Sequence, residues 1–231
     1  MKKNRKNSTP GRGELLAFYK LLLRRFGHRK WWPGETPFEV CIGAILTQNT
    51  AWTNVEKAIN NLKKAGLMEP APMLDAGRET VAECIRPSGY YNVKSARLLT
   101  FVRHLVARYD GDIRSIAKLD AGEARLELLS LNGIGMETAD SILLYAAGVP
   151  IFVVDAYTKR IFSRVGWIEQ EDGYEKVQGF FSSRLEPDAG LFNDYHAQIV
   201  ELAKRHCTKK APSCGDCPVI SFCAEGSVKT L

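Results

Sequence analysis

Apolar residues recur at helical spacing along almost the whole of this 231-residue chain, and that leaves no room for a sheet. TNVEKAINNLKKAG sets Val55, Ala58, Ile59 and Leu62 on one face and stops at Gly66. NVKSARLLTFVRHLVARY repeats the pattern at Leu98, Val102, Leu105 and Val106. GELLAFYKLLLRRFG closes on Gly27. TPFEVCIGAILTQ opens with Thr36 as an N-cap before Pro37, a residue well tolerated at the first helical position. DAYTKRIFSRVG, YEKVQGFFSSRL and LFNDYHAQIVELAKRHC continue the series. One strand-like run, VPIFVV at Val149–Val154, is short and has no partner. The patterns predict an all-α fold of about ten helices. The expected division is an inner bundle over residues 35–147 and an outer lobe from 14–34 plus 148–231, behind a tail over 1–13.

SLNGIGMETAD, Ser130–Asp140, joins two of these helices through Gly133 and Gly135. A dinucleotide-binding turn is excluded, because no strand precedes it and a third glycine is missing. Helix, LNGIG, helix is a helix-hairpin-helix. Its glycines let another backbone come close, and its N–H groups can meet an anion. A DNA phosphate is one such anion, met without reading base sequence. A plain αα-hairpin with glycine in its tight turn is the other reading.

Cys207, Cys214, Cys217 and Cys223 are spaced C-x6-C-x2-C-x5-C in a loop with Pro212, Gly215 and Pro218. Four thiols this close in a turn-rich loop read as a metal site rather than core packing. Four cysteines can hold structural zinc, but such sites pair two short knuckles and only one is present. The unequal spacings in one compact loop suit a 4Fe-4S cluster better. Cys41 and Cys84 lie within apolar helix patterns and read as buried small hydrophobes.

The net charge of +6 is concentrated at the start of the chain. Lys2, Lys3, Arg5, Lys6 and Arg12 fall in residues 1–13 without an acid, so the remainder is close to neutral. The tail is either solubilising or a flexible arm with non-specific affinity for phosphate. No apolar run approaches the roughly 20 residues needed to span a bilayer. The N-terminus lacks the apolar region of a secretory signal. The expectation is a cytoplasmic, nucleoid-associated monomer with no membrane partner.

The hairpin, Asp155 at the end of FVVD twenty residues after Gly135, and the four-cysteine loop occur in one order. Together they resemble the helix-hairpin-helix-GPD superfamily of DNA glycosylases, endonuclease III branch. AILTQNT resembles the loop whose glutamine, here Gln48, enters the duplex. SGYYNVKSARL resembles the loop whose tip, here Tyr90, wedges into the base stack. WWP, LTQNT, RPSGYYN, GIGMETADSILLYA and FVVDAY look most like the 3-methyladenine DNA glycosylase III subfamily, which lacks the cluster cysteines found here. In bifunctional relatives the second residue after the last hairpin glycine is a lysine that attacks the sugar. Here it is Glu137.

The resemblance implies a two-lobed helical fold with a C-terminal 4Fe-4S loop, and double-stranded DNA with a damaged or mismatched base as partner. The catalytic candidates are Asp155 and Glu137. A carboxylate beside the sugar C1′ can stabilise oxocarbenium character and direct water. Asp155 could also be a mere N-cap, and Glu137 could serve its helix start or face a cationic base. Trp32, Trp52 and Lys204 are the base-pocket candidates, since indole faces stack well on a cationic alkylated purine. Gln48, Asn49, Tyr90, Gly133, Ile134, Gly135 and Thr138 are the DNA-binding candidates, and Cys207, Cys214, Cys217 and Cys223 the metal ligands. The expected activity is monofunctional release of an alkylated purine such as 3-methyladenine. The alternatives are a mismatch thymine or uracil glycosylase, a glycosylase for oxidised pyrimidines, and a non-catalytic iron–sulfur DNA-binding protein.

Overall fold

A computed structural model describes residues 10–29 and 31–225; the basic residues at positions 2, 3, 5 and 6 lie outside them. The described residues contain eleven α-helices and no strand. They fall into two compact units, one over residues 32–151 and one formed by the described residues before 32 together with those from 152 on.

The 32–151 unit is assembled around α2 (Pro37–Leu46). Thr36 caps it by accepting the Glu39 N–H at 3.1 Å, Pro37 holds N1, and every residue from Phe38 to Leu46 is buried. Glu39 is tolerated there because Lys63 Nζ lies 2.9 Å away. The unit holds six further helices, α3 (Trp52–Lys64), α4 (Pro70–Asp75), α5 (Gly77–Cys84), α6 (Tyr91–Tyr109), α7 (Ala121–Leu129) and α8 (Met136–Ser141), of which α3, α6 and α8 pack on α2. α3 buries Val55, Ala58, Ile59 and Leu62, as its periodicity predicts. Burying Val55, Ile59 and Leu62 contributes roughly 1.5–3 kcal/mol each. Beyond α8 the chain continues as a π-turn, Ile142–Ala146. Cys41 is fully buried and Cys84 partly so.

The unit reaches further at both ends than residues 35–147. Trp32 belongs to it because its ring packs on Trp52 and Tyr145. Val149 belongs to it because its side chain is in the core and its N–H bonds to Leu143 O at 2.9 Å.

The other unit holds α1 (Arg12–Phe26), α9 (Ala156–Val165), α10 (Tyr174–Ser182) and α11 (Ala189–Arg205). α1 begins before residue 14 because Glu14 reaches back to the Gly11 N–H at 3.0 Å and holds the first turn. The core is aromatic: Phe152 stacks on Phe181 at 4.1 Å, and Phe18 and Phe162 meet at 5.1 Å. The Tyr195 hydroxyl, fully inside, donates to Leu15 O at 2.9 Å. VPIFVV forms no strand. Its backbone is bonded by α10 side chains instead, with Gln178 Nε2 donating to Phe152 O at 2.8 Å and the Val154 N–H donating to Tyr174 Oη at 3.3 Å.

One buried ion pair ties α7 to α8. Arg125 Nε donates to Asp140 Oδ1 at 2.8 Å, and the Asp140 side chain is 0% exposed. Removing one partner of such a pair leaves an uncompensated charge in the interior. Asp140→Ala should therefore cost about 3–5 kcal/mol, while an Arg125→Leu/Asp140→Leu double variant recovers most of it. Urea-unfolding midpoints of the three proteins check this.

Candidate active site and nucleic-acid interface

The hairpin between α7 and α8 depends on two glycines for different reasons. Gly133 has φ +86° and lies under Arg97; a Cβ there would come within 2.4 Å of the arginine chain. Gly135 is the extended N-cap of α8, and a Cβ on it would meet nothing within 4 Å, so its outer side is open. Between them the Ile134 side chain is buried in the core, which leaves its backbone for outside contacts. Thr138 is buried too. Glu137 is exposed in the first turn of α8.

Gln48 stands in the turn after α2. Its Nε2 donates to Gly133 O at 2.9 Å and Thr138 Oγ1 at 3.0 Å, and its Oε1 accepts from Arg97 Nη1 at 2.6 Å. The amide thus fastens its own turn to the hairpin. Asn49, next along, is exposed at φ +52°. Tyr90 is 77% exposed at φ +46° and forms the N-cap of α6. Both are non-glycine residues in the left-handed region, a sparsely used conformation.

Behind these two loops is a group that the sequence reading does not single out. Lys94 is 2% exposed, and its Nζ donates to Leu46 O at 2.7 Å, Thr50 Oγ1 at 2.6 Å and Ser88 O at 2.9 Å. Burial, with Arg97 as a neighbouring positive charge, pushes its ammonium down to about 8. The signal was available: Lys94 lies four residues before Leu98 and eight before Val102, on the stripe that α6 buries.

Trp32 and Trp52 come together in the 32–151 unit, edge to face at 5.4 Å, both half-buried. Gly43 makes room for them, since its Cβ would lie 3.1 Å from Trp32 Nε1 and 3.6 Å from Trp52 Cη2. Tyr145 completes the group, 5.3 Å from Trp32. It sits in the π-turn, which periodicity alone does not reveal. Lys204 is exposed on α11, and its Nζ lies 5.9 Å from the ring centre of Trp31.

Asp155 opens α9 at the end of the buried run Phe152–Val154. Its Oδ1 accepts from the Thr158 N–H at 2.7 Å and Thr158 Oγ1 at 2.9 Å. Its Oδ2 lies 3.5 Å from Nε2 of His196 on α11, and the carboxylate is 13% exposed. Burial by itself would raise this carboxyl. The electrostatic interaction with His196, with the hydrogen bonds from Thr158, outweighs burial and holds it below the ordinary aspartate value. His196 is invisible to a sequence reading because forty-one residues separate it from its partner.

Cys207, Cys214, Cys217 and Cys223 line one cavity of about 350 Å3, solvent at its mouth included, with Arg164 and Pro212 among its other walls. None is in a disulfide. Arg164 Nη1 donates to Cys207 Sγ at 3.3 Å and Thr208 O at 2.8 Å, and Arg160 Nε to Cys207 O at 2.9 Å. Burial, followed by the three neighbouring thiols, raises Cys217 to about 11. Among the described residues the thiols are not drawn into closed metal-holding geometry. Four sulfur donors around one cavity nonetheless match the donor set of an iron–sulfur cluster.

The family model of the HhH-GPD superfamily base excision DNA repair proteins matches residues 42–187. This chain belongs to the HhH-GPD superfamily. A Methanocaldococcus jannaschii protein whose name assigns it to the DNA repair glycosylases is 49% identical over 211 residues, covering 90% of this chain and 95% of that one. Endonuclease III of Thermotoga maritima is 29% identical over 187 residues, 81% of this chain and 82% of that one. The crystal structure of Helicobacter pylori 3-methyladenine DNA glycosylase bound to 1,N6-ethenoadenine superposes with a TM-score of 0.72 at 32% identity, covering 84% of this chain and 97% of that one. The all-α HhH-GPD fold and the place in the endonuclease III branch follow, and with them a role in base excision repair. Among the described residues no helix is long and apolar enough to cross a membrane.

In this HhH-GPD protein the depressed Asp155 pKa has a defined sign. The folded value lies below the unfolded one, so the group stabilises the fold above about pH 4, and the contribution is lost as pH falls through the folded value. His196→Asn removes this electrostatic partner and lets burial raise the carboxyl. The acid-unfolding midpoint, followed by circular dichroism, should move to higher pH.

Proposed function

We propose that this chain is a monofunctional DNA glycosylase that turns an alkylated purine out of duplex DNA and hydrolyses its N-glycosidic bond. The observation that carries this is Asp155, a largely buried carboxylate held ionised by Thr158 and His196. As the bond from C1′ to the base breaks, the electron pair leaves with the base and positive charge grows on the sugar. A desolvated carboxylate stabilises that charge more strongly than one in water. Thr158 engages Oδ1, which leaves Oδ2 on the His196 side to orient a water and receive its proton as the water oxygen bonds to C1′.

The remaining parts support the same chemistry. Glu137 occupies the position of the lysine of bifunctional relatives, so no amine there forms a Schiff base. The electron-rich rings of Trp32, Trp52 and Tyr145 suit a cationic purine. The likeness to a 3-methyladenine glycosylase structure that holds ethenoadenine supports this lesion class over mismatched thymine or uracil. Gly133, Gly135 and the Ile134 backbone would meet phosphate, and Tyr90 would fill the space left by the extruded base. The four cysteines would hold a 4Fe-4S cluster, which when bound cross-links their loop and fixes the nearby Lys204, Arg205, Lys209 and Lys210.

Incubation with duplexes carrying 3-methyladenine or ethenoadenine, and with G·T and G·U duplexes, followed by mass spectrometry of the released bases, tests the reading. Release of the alkylated purines without β-eliminated strands or a borohydride-trapped adduct is expected. Asp155→Asn should lower the single-turnover rate at least ~100-fold with little change in DNA affinity. Release that survives this substitution would remove Asp155 from the mechanism. The purified protein should contain about four irons per chain. Zinc without iron would overturn the cluster.

A further inference from the structure

We propose that Lys94 is a positioning residue that locks the Gln48–Asn49 turn to the Ser88–Tyr90 turn, so that the two enter DNA as one rigid wedge. This rests on the reading that Tyr90 and the exposed tip of the Gln48–Asn49 turn enter the duplex.

The three acceptors of Lys94 come from different segments. Leu46 O is a carbonyl of the last turn of α2, Thr50 Oγ1 closes the turn bearing Gln48 and Asn49, and Ser88 O precedes Gly89 and Tyr90. Thr50 Oγ1 also donates to Ser88 O at 2.6 Å, so the two turns are joined directly as well as through the amine. That assignment uses the hydroxyl hydrogen, which makes Thr50 an acceptor toward Lys94. Two carbonyls and one hydroxyl oxygen then match the three N–H groups of an ammonium. The partners are uncharged, and Arg97, one turn further along α6, is the neighbouring charge.

A lysine chosen only for packing would have been better replaced by an apolar residue at this site, because burying an ammonium among neutral acceptors is costly. What the site gains is geometry. Asn49 and Tyr90 stand on either side of the knot at φ +52° and +46°. Such backbone persists only where the surroundings over-determine it. Arg97 adds a second tie from the same helix face, holding Gln48 Oε1 at 2.6 Å and covering Gly133. One face of α6 therefore sets Tyr90, Gln48 and the hairpin relative to one another, all within the 32–151 unit. The exposed Tyr90 ring can then enter the stack without first being ordered, which lowers the cost of insertion.

The test uses the full-length protein and a duplex with a tetrahydrofuran abasic analogue beside 2-aminopurine, so it does not depend on which lesion is excised. Binding of the wild-type protein should raise the 2-aminopurine fluorescence as Tyr90 unstacks it, and Tyr90→Ala should abolish the rise. Lys94→Met should lose most of the rise and ~10-fold in preference for abasic over intact duplex, equivalent to about 1.4 kcal/mol. Thr50→Val removes the hydroxyl from the same knot without touching the lysine. It should show the same losses in weaker form, and it carries the test if Lys94→Met does not fold. Adding Tyr90→Ala to either variant should lower the preference no further than Tyr90→Ala does alone. A full fluorescence rise and unchanged preference in Lys94→Met, or in Thr50→Val where that variant stands in, overturns the brace. No rise with the wild-type protein, or a rise that survives Tyr90→Ala, overturns the wedge reading on which it rests.

Discussion

The 32–151 unit depends on a helix with almost no solvent face. Nine of the ten residues of α2 are buried, so every feature attached to it inherits a fixed reference. Gly43 in its second turn leaves the space that Trp32 and Trp52 fill. The carbonyl of Leu46 at its end receives the Lys94 amine. The turn that follows carries Gln48 back to the hairpin. A close-packed interior deforms little. The loops around α2 thus hold side chains in place with hydrogen bonds that would be too weak to order a free loop.

Charge inside this protein is handled in two contrasting ways. Asp155 lies near His196 and two donors from Thr158, and its ionised form is favoured despite burial. Lys94 has neutral acceptors and a like-charged neighbour, and its ionised form is disfavoured. The first arrangement keeps a carboxylate ionised inside the protein. The second gives up proton affinity in return for three bonds of fixed direction.

Much of this is legible in the sequence, and the illegible part has a common cause. The caps at Thr36 and Pro37, the amphipathic face of α3 and the stop at Gly27 are local, and the structure has them where short-range rules put them. The cysteine spacing is local as well. Lys94 escaped because a lysine on an apolar stripe contradicts the rule that finds the stripe. His196 escaped because its partner is distant in the chain. Tyr145 was missed because a π-turn shifts the helical phase that periodicity assumes. The engagement of Gln48 with Gly133 and Thr138 joins positions at least eighty-five residues apart, which no single-sequence pattern records.

The run that delivers Asp155 has a consequence for how the chain behaves while folding. Phe152, Val153 and Val154 are β-prone, apolar and uncharged, and they lie outside any helix without a sheet to join. Such a segment is a template for pairing with another chain. Here Gln178 and Tyr174 occupy its backbone groups, and Pro150 stands just ahead of it as a residue that cannot continue a ladder. α10 is therefore a cover as well as a structural helix. Until it docks, the stretch leading into Asp155 is open to pairing with another chain.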